Sequence, residues 1–177
     1  MNRSPNIVLV GFMGTGKTSV GKAVANHLSF RFLDMDDIIV AQTGKPIPRI
    51  FEEDGEQHFR NMEYGIAKKL STQTGIVIAT GGGVVLNSDN IRNFSKTGIV
   101  ICLSATPETI IERVQHDTNR PLLNVGDKMS KITEMLKSRK HLYDAIPHQL
   151  DTTNLSENEV LEKIVALYND FRNADIS

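Results

Sequence analysis

A single cysteine, Cys102, leaves this 177-residue chain no way to form an internal disulfide. Its fold must therefore rest on a buried core, and a reducing compartment is its natural setting. Cys102 stands inside the apolar run 99–103, where a free cysteine is expected to pack as a small buried hydrophobe. An excess of charge of one sign is also missing: 20 basic against 21 acidic residues give a net charge of -1. That balance removes the usual electrostatic case for a nucleic acid or an anionic membrane as partner. No apolar run approaches membrane-spanning length, since residues 7–10 are ended at once by Gly11. No secretory segment is visible, so the cytoplasm is the expected location. The five histidines lack ligand spacing and have no second cysteine to join them, which argues against a zinc site. Without repeats, linkers or low-complexity tracts, residues 1–177 are expected to form one domain, large enough to bury a core. A monomer is the expected state.

What the chain does have is rhythm. Short β-branched runs at 7–10, 30–33, 76–79 and 99–103, with a weaker one at 148–151, alternate with helical patterns. This is the pattern of βαβ units in a parallel sheet. The first four runs show no polar alternation, as expected of strands covered on both faces. Residues 17–28, 56–70 and 128–142 carry apolar residues at helical spacing. Thr106-Pro107-Glu108 reads as a helix cap, a first-turn proline and a dipole-matched acid. Ser156 and Glu159 form a capping box before Val160. Residues 116–127 break the rhythm and read as an irregular excursion, the kind that often serves as a lid.

Between the first strand and the first helix lies Gly11-Phe12-Met13-Gly14-Thr15-Gly16-Lys17-Thr18, a Walker A loop. Its glycines let successive backbone N–H groups curl around one anion, and the following helix adds its positive end. Gly14, Thr15, Gly16, Lys17, Thr18 and Ser19 are the candidate ATP-binding residues. Lys17 can reach the outer phosphates, and the Thr18 hydroxyl can ligate Mg²⁺. The fold this predicts is α/β, a three-layer P-loop NTPase fold. A phosphate cradle alone does not say what receives the phosphoryl group.

Asp34, Asp36 and Asp37 follow the second strand, and in open parallel sheets sites gather beyond the carboxyl ends of strands. Phosphoryl transfer to an alcohol needs a metal held by oxygen ligands and an acid oriented at the attacking hydroxyl. Asp34 suits the metal, through water, and Asp36 the hydroxyl. The third strand runs into Thr80-Gly81-Gly82-Gly83 with no acid, which leaves Asp34 as the metal-organising candidate. The same acids also read as a helix cap with a dipole-matched first turn.

Taken together, these motifs resemble the shikimate kinase family. The resemblance runs in order through Gly11 to Thr18, Phe32-Leu33-Asp34-Met35-Asp36, Ile50-Phe51, Gly55-Glu56 with Phe59-Arg60, and Thr80 to Gly83. Arg120-Pro121-Leu122-Leu123 and Arg139 with Leu142-Tyr143 complete it. It implies a five-stranded parallel sheet in the order 2-3-1-4-5, flanked by helices, with a mobile lid at about 116–127. It implies transfer of the γ-phosphoryl group of ATP to the 3-hydroxyl of shikimate, a step of aromatic biosynthesis. By the same resemblance Asp36, Arg60, Gly81, Gly82 and Arg139 fall in the substrate site. Arg120 corresponds to the lid arginine that meets the phosphates, which with Lys17 and Asp36 makes the catalytic set. Arg113 matches the arginine against adenine. Arg49 departs from the pattern, standing where relatives often carry an acid.

The chemistry of these residues agrees with that implication. Two arginines can grip a ring carboxylate by forked hydrogen bonds, and glycines let a ring approach backbone N–H groups. Blander readings stand beside it: Arg60 on a solvated helix face, Arg139 on a basic face with Lys137 and Lys140, Arg113 as a helix-end charge, Arg120 as a loop charge. Phe51 and Phe59 read equally as core or as ring wall. Rival functions are a related kinase for another small hydroxyl substrate and a silent nucleotide-binding module.

Overall fold

Five strands and eight α-helices stand among the described residues, which in this computed structural model are 4–114 and 128–174. In chain order they are β1 (Asn6–Gly11), α1 (Lys17–Leu28), β2 (Arg31–Asp34), α2 (Met35–Thr43), α3 (Ile47–Glu53) and α4 (Glu56–Leu70). Then follow β3 (Ile76–Ala79), α5 (Ser88–Phe94), β4 (Gly98–Ser104), α6 (Pro107–Val114), α7 (Lys128–Asp144), β5 (His148–Asp151) and α8 (Glu157–Ala174). All strand pairings are parallel, in the order β2-β3-β1-β4-β5. This is the expected sheet.

Alternate residues of β1 feed two cores. Ile7 and Leu9 pack with Val20 and Val24 of α1 and Val160, Ile164 and Tyr168 of α8. Val8 and Val10 pack on the other face with Ile39, Phe59, Ile66, Phe94 and Ile132 from α2, α4, α5 and α7. Two covered faces explain the unbroken apolar runs of β1, β3 and β4, each buried almost throughout. Cys102 is 1% exposed in this interior, and burial pushes its thiol up to about 11 against the pull of Lys17. The packing role expected of it holds.

Differences from the sequence reading are local. The second strand lies at the sheet edge and runs 31–34 rather than 30–33; it is half-exposed, not covered on both faces. Phe30 is drawn out of it because its N–H closes the end of α1 on the Ala25 carbonyl. Of the remaining helices, α2 bears out the helix-cap reading of the acids at 34–37, whereas α3 and α5 were not predicted. They are short, and α2 carries the β-branched Ile38-Ile39-Val40, a weak helix signal. Asp34 caps α2 through the Asp36 N–H and Asn87 caps α5 through the Asp89 N–H, whereas α3 starts after Pro46 with no side-chain cap. The Ser156–Glu159 capping box closes in both directions, at 2.8 and 3.3 Å. Arg49 pairs with Glu53 at 2.7 Å along α3, so its departure from the family pattern is met locally. The irregular excursion at 116–127, with Arg120, lies outside the described residues. No helix of the described residues is long and apolar enough to cross a membrane.

Candidate active site

Three loops meet beyond the carboxyl ends of β1, β2 and β3. The first is the turn from β1 into α1. Gly16 caps α1 with φ 94°, a left-handed conformation that glycine adopts without strain, and no side chain covers the first N–H groups of the helix. The Thr15 hydroxyl ties the loop to the Phe12 carbonyl at 2.8 Å. Lys17, 9% exposed, donates to the Gly11 and Phe12 carbonyls at 2.9 and 2.8 Å, so its ammonium spans the loop. Such a curl of N–H donors with a lysine across it is an anion site built from backbone.

The second loop is the step from β2 into α2. Asp34 works with both carboxylate oxygens. One accepts from the Asp36 N–H at 3.0 Å and starts α2; the other accepts from the Thr18 hydroxyl at 2.9 Å. The cap reading of Asp34 is met, and it leaves the second oxygen facing Thr18. Thr18 and Asp34 thus offer adjacent hard oxygen donors at the edge of the phosphate loop. That set suits Mg²⁺, which takes one or two protein oxygens and fills its shell with phosphate and water. Among the described residues no cluster of three or more His, Cys, Asp or Glu could hold a metal alone.

The third loop, Gly81-Gly82-Gly83 after β3, joins everything. A methyl group at Gly81 would lie 2.9 Å from an Asp36 oxygen and 2.9 Å from a Glu63 oxygen. One at Gly82 would face the Met13 nitrogen of the phosphate loop at 3.5 Å. One at Gly83 would strike the Arg60 guanidinium at 2.3 Å. Missing side chains are what bring the cradle, the acid and the arginine around one strand end. The triplet is held from behind: the Gly81 and Gly83 carbonyls accept from Val84 and Leu86 N–H groups in a single 3₁₀ turn. The Gly82 carbonyl accepts from the Tyr143 hydroxyl at 2.7 Å.

Arg60 sits in a vise. It donates to Glu63 on one side and to Glu56 at 3.0 and 3.2 Å on the other, with its guanidinium carbon 5.2 Å from the Phe59 ring centre. Burial opposes its charge, but the two glutamates outweigh that and hold it firmly protonated. Glu63 is 1% exposed and one of its oxygens has no hydrogen-bond partner. Burial raises its carboxyl above the usual range, Arg60 opposes this, and Asp36 adds to it. Arg139 lies on α7 beside Tyr143 and within electrostatic reach of Glu63.

On the far side of the phosphate loop, a cavity of about 340 Å³ is lined by Gly14, Gly16, Ser19, Arg113, Thr152 and Leu155, among others. Arg113 braces it, donating to the Gly14 carbonyl at 3.2 Å and to the Thr152 hydroxyl and carbonyl at 3.0 and 2.8 Å.

The family model for shikimate kinase matches residues 13–169. The chain belongs to the shikimate kinase family. It is 47% identical over 163 residues to the shikimate kinase of Thermodesulfovibrio yellowstonii, a match covering 92% of this chain and 94% of that one. With the enzyme of Pelotomaculum thermopropionicum identity is 44% over 160 residues, covering 90% and 93%. Among solved structures, shikimate kinase from Acinetobacter baumannii in complex with shikimate superposes with a TM-score of 0.89 at 37% identity, over 96% of this chain and 95% of that one. A gluconokinase from Sinorhizobium meliloti, at 16% identity and TM-score 0.63 over 98% and 97% of the two chains, shares the fold alone.

Against this shikimate kinase frame, the fold brings Lys17, Thr18, Asp34, Asp36, Arg60, Gly81, Gly82 and Arg139 to one end of the sheet. Arg60 is not on a solvated face, with its side chain 19% exposed. Arg139 is half-buried while Lys137 and Lys140 beside it are exposed, so it does not merely extend a basic face. Phe59 is core at 4% exposure and Phe51 half-buried against it. Sequence reasoning missed Glu63, Gly83 and Tyr143 as parts of the site. The buried acid was legible: Glu63 falls three residues after Arg60 and on the apolar side of α4, where an unpaired charge is costly.

Proposed function

We propose that this protein transfers the γ-phosphoryl group of ATP to the 3-hydroxyl of shikimate, giving shikimate 3-phosphate and ADP for aromatic biosynthesis. Membership of the family supports the reaction. The observation that carries the assignment of parts is the glycine triplet, which touches the phosphate loop at Gly82, the acids at Gly81 and the arginine vise at Gly83.

In this reading the loop N–H groups from Gly14 to Ser19 and the Lys17 ammonium bind the phosphates of ATP. The cavity braced by Arg113 takes the base. Thr18 and Asp34 would hold Mg²⁺, Asp34 through water, and the metal would neutralise charge on the phosphates. Arg60 and Arg139 grip the shikimate carboxylate, each through a charge-assisted fork. Glu56 and Glu63 occupy only part of the five N–H donors of Arg60, leaving others for substrate. The Gly81 and Gly82 backbone receives the ring. Asp36 then orients the 3-hydroxyl at the γ-phosphorus and takes its proton as the new P–O bond forms. Arg120, by the family resemblance, meets the transferring phosphoryl group.

The test is product identity. Phosphorus NMR of a reaction with Mg-ATP and shikimate should show one phosphate ester coupled to the C3 proton, with stoichiometric ADP. Gluconate in parallel should give none. No ester with shikimate, or faster turnover of gluconate, overturns the assignment.

A further inference from the structure

Tyr143 belongs to no step of the mechanism above, yet it lies where two parts of the acceptor site meet. Its ring is packed in the core between α7 and the turn after β3, 8% exposed. Its hydroxyl donates to the Gly82 carbonyl at 2.7 Å, across 61 positions of sequence. Arg139 stands one helical turn earlier on α7, near enough for its charge to act on the phenol. Burial pushes the phenol up to about 12, against the pull of Arg139, so it stays a neutral donor throughout the working range.

Peptide geometry makes this contact directional. The C=O and N–H of one trans peptide point in opposite directions. Fixing the Gly82 carbonyl toward Tyr143 therefore turns the Gly83 N–H the other way. That N–H belongs to the glycine against which the Arg60 guanidinium lies. Glycine backbone is otherwise the freest in the chain, so a peptide between two glycines needs an outside hold to keep one orientation. The neighbouring carbonyls are held by local turn bonds from Val84 and Leu86. Among the described residues, Gly82 alone of the three has its carbonyl held by a distant side chain.

We propose that Tyr143 is a positioning residue for the acceptor: its hydroxyl fixes the Gly82–Gly83 peptide and the Arg139 guanidinium in one arrangement, so that both present donors to the same carboxylate. This rests on the reading of the site as a shikimate site. Tyr143 touches neither nucleotide nor reacting atoms, so its loss is felt as poorer acceptor binding.

Tyr143→Phe removes the hydroxyl and keeps the ring. Its shikimate KM should rise about tenfold, the worth of a well-placed buried hydrogen bond, with ATP KM unchanged and kcat within about threefold. Ile146→Val, in the same core three residues after Tyr143, serves as a stability control and should leave both KM values alone despite a lower Tm. In the double variant Tyr143→Phe/Arg139→Lys, the rise in shikimate KM should fall well short of the product of the two single effects, because both act on one guanidinium. An unchanged shikimate KM in Tyr143→Phe, equal rises in both KM values, or multiplicative effects in the double variant would overturn the proposal. Wild-type turnover of shikimate is measured alongside. If it is absent the functional assignment fails; if it is present and Tyr143→Phe is silent, only this inference fails.

Discussion

The two halves of the site are built from different materials. The phosphate side is almost wholly main chain: a loop of eight consecutive residues, a helix start and one lysine folded across it. The side proposed for the acceptor is side chain, with Asp36 from α2, Arg60 and Glu63 from α4, and Arg139 and Tyr143 from α7, none near another element's partner in sequence. A loop can be made once and used for any nucleotide. A clamp for one acid must be assembled from distant helices, and its geometry depends on what packs behind each residue. The glycine triplet joins the two, because there the cradle and the clamp approach the same backbone.

The comparison predicts that damage on one side leaves the other working. The largest effect should come from Asp36→Asn, which keeps shape and removes the base. Turnover should fall about 10²–10⁴-fold with ATP affinity unchanged, measured by coupled ADP release; a loss under about fivefold would show that Asp36 only packs. An intermediate and graded effect should come from the triplet. Gly83→Ala pushes a methyl into the Arg60 guanidinium, whereas at Gly82 the added methyl meets only ordinary contacts. Shikimate KM should therefore rise much further in Gly83→Ala than in Gly82→Ala, with ATP KM flat in both. The reverse ranking would break the assignment of Gly83 to the arginine.

The smallest effect concerns pH. Glu63 is raised above its usual 4.5 chiefly by burial, so the fold favours its protonated form. Its contribution to stability is then fully present below 4.5 and is lost as pH rises through the folded value. Relative to Glu63→Gln, which cannot titrate, the wild type should gain in Tm as pH is lowered from 7 toward 4.5. A relative loss would mean that Arg60 holds Glu63 charged.

The same division explains what could be read before the structure. The phosphate loop was legible in full because its chemistry is local: glycine spacing, one lysine and one threonine, with a strand before and a helix after. Sheet order, and the roles of Arg60 and Arg139, came from family resemblance, since no spacing says that positions 60 and 139 meet. The cap reading of Asp34 holds, and because its second oxygen faces Thr18 the proposed metal role does not compete with that cap. Glu63 was not singled out, and Tyr143 entered only with the resemblance and without a role, for one reason. On an apolar helix face they look like packing, and only the tertiary arrangement shows that the first holds Arg60 and the second holds Gly82. The extent of α2 and all of α3 and α5 escaped because helices of seven to nine residues carry too little periodicity to read.

Calorimetric titration of Arg60→Ala with shikimate and, separately, with Mg-ATP tests the independence of cradle and clamp most directly. Loss of the shikimate isotherm with nucleotide affinity kept within about twofold of wild type is expected, since breaking a charge-assisted pair costs about 2–5 kcal/mol at its own site. Nucleotide binding that falls in step with shikimate binding would contradict the account.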